Sequence, residues 1–164
     1  MKAVLITALA ALLGSLQAHA QGPIEAANYD LQVGAAIKSM SAVEVAPGIS
    51  SLNIIAEGAG RIAAAGAVLR FHALCAIVDT QEGKQITAGS GDCELTSLGG
   101  GKLYARFHTL PGMGDRGHLT FSGGTQEFAA VSGKLPVQVT VNPLLVGKPV
   151  FFLETLQPAD AEAH

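Results

Sequence analysis

The sequence predicts an all-β fold: an antiparallel β-barrel of about eight strands, forming a single domain after an N-terminal signal peptide. Three observations predict it. Apolar stretches rich in Val, Ile and Ala are separated by clusters of Gly and Pro, the central stretches alternate apolar and polar residues, and the chain after the leader has no convincing long helix. Short strands between turn signals are typical of barrels and sandwiches, and closure into a barrel removes exposed edge strands.

The first 20 residues have the features of a signal peptide. Lys2 is positively charged, residues 3–16 are mostly apolar, and Ala18 and Ala20 are the small residues that a signal peptidase recognises, so we expect cleavage between Ala20 and Gln21. The apolar run is shorter than the roughly 20 residues that span a bilayer. We therefore expect a periplasmic or secreted protein with no membrane insertion after leader removal.

The remaining chain has the length of one domain. We expect residues 21–28 to be a mobile segment, 29–157 the barrel and 158–164 a disordered tail. The formal net charge is −3, which argues against a nucleic-acid partner. The glycine clusters at 99–101 and 112–117 are not followed by a helix or by Lys-Ser/Thr, so we expect no phosphate loop and no cofactor.

The first strands are expected between Tyr29 and Glu57. Their interruptions fall at Gly34, at Pro47-Gly48 and at Gly58-Ala59-Gly60. Arg61 to Ala67 is rich in Ala and compatible with a helical turn by propensity alone. Strand is favoured, because Val68 to Val78 continues it with alternating β-branched and aromatic residues.

The central hairpin has the clearest pattern. One face of its first strand carries Leu69, Phe71, Ala73, Cys75 and Ile77, and the other carries Arg70, His72 and Leu74. Folding about Lys84 in the turn Gln81 to Lys84 places Cys75 opposite Cys93. In an exported protein such a pair indicates a disulfide, with two buried free thiols as the alternative.

The next hairpin is expected to turn at Gly99 to Gly101. Its second strand alternates an apolar face of Leu103, Ala105 and Phe107 with a polar face of Tyr104, Arg106 and His108. Folding about Gly100 places Glu94 opposite Arg106 and Asp92 opposite His108. A flexible loop, Pro111 to Gly117, follows. The last strands are His118 to Ser122, Leu135 to Val141 and Val150 to Leu156, with a turn at Gly123-Gly124.

Three segments together resemble a known family. They are His72-Ala73-Leu74-Cys75, then Gly91 to Thr96, then Gly123 to Phe128 with Gly133. This part of the chain, roughly 68–141, resembles the bacterial relatives of the allene oxide cyclase and dirigent barrels. The resemblance implies an eight-stranded barrel whose interior can take a small apolar molecule, and a homodimer or homotrimer. It implies no cyclase or coupling activity, because none of the plant enzymes' catalytic groups can be placed on this sequence.

The most polar group of residues lies on one face of adjacent strands: Arg70, His72, Glu94, Tyr104, Arg106 and His108. One interpretation is an acid–base or ligand-binding cluster. The favoured interpretation is a solvated exterior of alternating charge that sets strand register. A metal site formed by His72, His108 and His118 is not expected, because their spacing matches no ligand motif.

These patterns support three functional hypotheses. The first is non-catalytic binding of a small apolar ligand, or a role as an assembly module. The second is an isomerase or cyclase with a polar lumen that uses Arg70, His72, Glu94 or Tyr104. The third is a β-sandwich structural or adhesion module with a packed centre. Whether the protein is an enzyme stays open at this point, with binding favoured.

Overall fold

A computed structural model describes residues 29–64, 67–83, 85–142 and 149–156. The predicted signal peptide, the segment 21–28 and the tail 158–164 lie outside these residues. The described chain forms a closed antiparallel barrel in which each strand pairs with the next and β8 pairs with β1. The strands are β1 Asp30–Ala46, β2 Ile49–Ala64, β3 Ala67–Glu82, β4 Gln85–Ser97, β5 Lys102–Leu110, β6 Met113–Gly124, β7 Gly133–Asn142 and β8 Val150–Thr155.

The apolar face of the alternating strands points into the barrel and forms its core. Phe107, Phe128 and Phe151 are fully buried there, and the rings of Phe107 and Phe151 are stacked with centroids 5.9 Å apart. Phe128 comes from a single-turn 3-10 helix, Gln126–Phe128, just after β6. Aromatic and aliphatic side chains thus make up the core of the described barrel. No helix within the described ranges is long and apolar enough to cross a membrane.

The predicted fold class and disulfide are confirmed. Cys75 lies directly opposite Cys93, and the two form a disulfide with their Cα atoms 4.1 Å apart. Beside the turn, Glu82 pairs with Gln85, and a bulge next to Thr80 then shifts the register by one residue. This bulge is what brings the two cysteines opposite each other.

Several predicted interruptions are wrong. Gly34 lies inside β1 and the glycines at 58 and 60 lie inside β2. Where a continuous strand was expected, β2 ends at Ala64 and the antiparallel β3 begins at Ala67. Residues 111–117 form a short turn and the start of β6 instead of a flexible loop. Leu69 is exposed, because it lies near the start of β3, before the pairing with β4 begins at Phe71.

The predicted register between β4 and β5 is also wrong, by two residues. Asp92 pairs with Arg106, and Glu94 pairs with Tyr104. The turn begins earlier than expected: the Ser97 amide donates to the Gly101 carbonyl at 2.8 Å. The hairpin therefore folds about Gly99, the first of the three predicted turn glycines, and not about Gly100. The charged residues consequently pair with other partners than expected.

The glycines of β1 and β2 give a test of close backbone packing. A Cβ on Gly58 would lie 2.2 Å from the Gly34 carbonyl oxygen and 2.5 Å from the Ala35 Cα, whereas a Cβ on Gly34 would lie 3.4 Å from the Phe152 ring. We expect Gly58→Ala to lower the free energy of unfolding by about 1–3 kcal/mol, because the backbone has to move. Gly34→Ala is the control and should stay within about 0.5 kcal/mol in urea unfolding. Equal losses in both variants would contradict this packing.

Candidate functional site

The polar residues singled out in the sequence lie on the outside of the barrel. Arg70, His72, Tyr104, Arg106 and His108 are exposed, and Glu94 is partly buried. Side chains that point inward on these strands are mainly apolar. The hypothesis of an enzyme with these groups in a polar lumen is therefore wrong about their position. The alternation of residues predicted the two faces, and burial shows which of them is inside.

Three of these residues form exterior ion pairs. The Arg106 guanidinium donates to both carboxylate oxygens of Asp92, at 2.7 and 3.0 Å, and this holds the pKa of Asp92 below its usual value. The Lys102 ammonium donates to Glu94 at 2.8 Å and lowers the pKa of Glu94 in the same way. Exposed pairs of this kind contribute little to stability.

His72 is paired with Glu57 on the neighbouring strand, with Nε2 and Oε1 3.0 Å apart. The hydrogen bond from His72 and the Lys38 ammonium together lower the pKa of Glu57. His108 lies opposite His118 on β6, whereas His72 is opposite Thr96 on β4. Among the described residues, no group of three or more His, Cys, Asp or Glu side chains is placed to hold a metal ion.

Arg70 and His72 border a wide groove on the outside of β8, β1, β2 and β3, which we call the outer groove. Its volume is about 940 Å³. Strand register arranges its exterior residues in two rows. The first row runs Phe152, Gly34, Ala59 and His72, and the second runs Glu154, Gln32, Arg61 and Arg70.

The first row gives the groove an apolar floor. Gly34 and Ala59 project no more than a methyl group above the sheet, between the Phe152 ring on one side and the His72 imidazole on the other. Neighbouring strands are about 4.8 Å apart, so the backbone positions of Phe152 and His72, three strands apart, are separated by about 14 Å. Phe152 is 38% exposed and lines the groove. The space suits a flat apolar group.

The second row carries two arginines at its β2–β3 end and the Glu154 carboxylate at its β8 end. Arg61 donates to Asp30 at 2.9 Å and to Gln32 at 3.1 Å, so its charge is largely compensated. Arg70 lies directly opposite Arg61 and makes no hydrogen bond or ion pair with any residue that the structure describes. Like charges directly opposite on a sheet repel each other. Arg70 is therefore an uncompensated cation beside an apolar floor.

Sequence analysis identified Arg70 and His72 but missed the rest of the groove. Phe152 and Gly34 belong to strands at opposite ends of the chain, and only barrel closure brings them together. Arg61 lies in the Ala-rich stretch that was ambiguous between helix and strand. The one available signal was the outward position of Phe152 in an alternating strand, beside the inward Phe151.

No protein-family model, no curated protein and no solved structure matches the chain. The resemblance to the allene oxide cyclase and dirigent barrels therefore stays a prediction, although the eight-stranded barrel that it implied is confirmed.

Proposed function

We propose that the protein is a non-catalytic binding protein whose outer groove holds a small molecule with a flat apolar body and an anionic group. The observation that carries the proposal is the position of Arg70, an arginine without a described partner that faces a second arginine across strands. Guanidinium groups bind carboxylates through two parallel hydrogen bonds.

The apolar body of such a ligand would lie over Gly34 and Ala59 and stack on the Phe152 ring. Aromatic pairs of this kind contribute about 0.5–1.5 kcal/mol beyond the area that they bury. His72 would form the far wall, held in place by Glu57. The groove thus provides one apolar surface and one charged contact, which is the usual composition of a small-molecule site.

Binding is favoured over catalysis because of the environment of the titratable groups. The groove is lined by Arg61, Arg70, His72 and Glu154, each of which is at least partly exposed. Acid–base catalysis is typically carried out by groups whose pKa is shifted by burial in a cleft. The outer groove holds no buried titratable side chain among the residues described.

The proposal is tested with 2-naphthoate as the probe and the mature protein in fluorescence or calorimetric titrations. We expect Arg70→Gln to weaken binding at least tenfold, because a charged hydrogen bond is lost. Arg106→Gln is the matched control, since it removes an exposed arginine that is already paired with Asp92. Ala59→Leu should also weaken binding by filling the floor, while the exterior Ala76→Leu should not.

The uncharged analogue 2-naphthol separates the two halves of the groove. The unmodified protein should bind 2-naphthol more weakly than 2-naphthoate. The Arg70→Gln variant should bind the two probes with equal affinity. The proposal would be overturned by the absence of naphthoate binding at millimolar concentration, or by binding that is unchanged in both Arg70→Gln and Ala59→Leu.

A further inference from the structure

A second pocket lies at one end of the barrel, and we call it the mouth pocket. It adjoins the outer groove at Thr140, which lines both. Its volume is about 520 Å³. It extends from the ends of β3 and β4 to β6 and β7. It is lined by Asp79, Gln85, Ile86, Gly114, Asp115, Gln138, Val139, Thr140 and Val141.

Asp79 is the unusual residue of this pocket. It follows Cys75 and Ile77 on the inward face of β3 and is only 2% exposed. Its Oδ2 atom is buried without a hydrogen-bond partner, and in the described part of the chain no other buried side-chain nitrogen or oxygen is unpaired. Leaving such an atom unpaired is costly, and native proteins seldom do so.

The surrounding chain leaves room for this carboxylate. A Cβ on Gly89, its cross-strand neighbour on β4, would lie 2.4 Å from Asp79 Oδ1. The Gly89 backbone is bound instead by Thr109, whose hydroxyl accepts from the Gly89 amide at 2.6 Å and donates to its carbonyl. Glycine at this position therefore keeps the space around Asp79 free of a side chain.

The chemistry of the lining indicates the charge of a ligand. Asp115 on β6 is the second carboxylate of the pocket, and it accepts a hydrogen bond from Gln138 at 3.4 Å. None of the lining residues is basic, and burial alone raises the pKa of Asp79 to about 6. At neutral pH the buried carboxylate is thus mostly charged and has no compensating cation among the lining residues.

We infer that the mouth pocket binds a small organic ammonium ion, whose N–H groups donate hydrogen bonds to the Asp79 carboxylate and whose apolar chain lies against Val139, Val141 and Ile86. A primary ammonium carries three donors and a positive charge, and so supplies both of the interactions that Asp79 lacks. A divalent metal is a poorer match: calcium takes six to eight oxygen ligands, and no group of three or more His, Cys, Asp or Glu side chains in the described ranges is placed to hold one.

The test uses n-butylammonium as the probe and 1-butanol and butyrate as controls, followed through amide NMR shifts of the full mature protein. Butylammonium should bind and should shift the amides of Gly89 and Gly114, while butanol and butyrate should not. Asp79→Asn should weaken binding at least tenfold. Asp115→Asn is the matched control within the pocket and should weaken it only a few-fold.

A second measurement does not depend on a variant. In the unmodified protein, the side-chain carboxyl resonance of Asp79 should titrate at a lower pH with saturating butylammonium than without it, because a bound cation favours the charged carboxylate. Three results would each overturn the inference: no binding of butylammonium, equal binding of butanol, or unchanged binding by folded Asp79→Asn. The last variant is expected to fold, since it removes a buried charge.

Discussion

Reducing the Cys75–Cys93 disulfide should lower the free energy of unfolding by about 3 kcal/mol in the chain-entropy treatment of a loop of this length. The two cysteines are 18 residues apart and both are buried, on adjacent strands of the core. In the unfolded chain the bridge removes many conformations, whereas in the folded barrel the cysteines already lie opposite each other. The measurement is guanidinium unfolding with and without a reductant.

The control is the double variant Cys75→Ala with Cys93→Ala. It has no bridge, so the reductant should leave its unfolding curve unchanged, and its stability should resemble that of the reduced protein. Alanine is chosen over serine because a hydroxyl at these buried positions would need a new partner. If the reductant had the same small effect on both proteins, the bridge would contribute nothing to stability.

The fold could be predicted because alternation along β3, β4 and β5 is nearly uninterrupted. With period two, a single buried residue such as Cys75 assigns the face of every other residue in its strand. Glycine was the misleading signal. Gly58 and Gly60 lie in mid-strand because the β1 backbone and the Phe71 ring approach them closely, and such contacts are not visible in sequence.

Register was harder to predict than fold. The β3–β4 prediction succeeded because a bulge beside Thr80 compensated for a turn centred half a residue away from the expected one. No such compensation occurs in the next hairpin, where the turn begins at Ser97. A small shift of the turn therefore changed the partner of Arg106 from Glu94 to Asp92.

Most residues of the two candidate sites could not be predicted from the sequence. The outer groove joins β8 to β1, and the mouth pocket joins β3 to β7, so both depend on closure of the barrel. Asp79 directly follows Val78, the last residue of the predicted strand, and the sequence analysis did not single it out. Only its burial shows that it continues the inward face.

The stability of the protein should depend on pH through Asp79. Its pKa is about 6 in the folded state against an ordinary value of 3.8, because burial disfavours the charged form. The folded state therefore binds this proton more tightly than the unfolded state does. The resulting stabilisation is complete below pH 3.8 and is lost as the pH rises through 6. The difference corresponds to at most about 3 kcal/mol.

The variant Asp79→Asn isolates this contribution. As the pH rises from 3.5 to 7.5, the free energy of unfolding of the unmodified protein should fall relative to that of the variant, by up to ~3 kcal/mol. Asp92, Glu94 and Glu57 have lowered pKa values and act in the opposite direction, but they are present in both proteins and cancel in the comparison.

Asp115→Asn is the matched control, because it removes an exposed carboxylate from the same pocket. Its pH profile should follow that of the unmodified protein. Parallel profiles for all three proteins would mean that Asp79 is solvated well enough to titrate normally, and the argument for a charged, unpaired carboxylate in the mouth pocket would fail with it. If only Asp79→Asn lacks the loss of unfolding free energy between low and neutral pH, then Asp79 destabilises the folded barrel at neutral pH. Keeping a residue although it lowers stability is the behaviour expected of a binding residue.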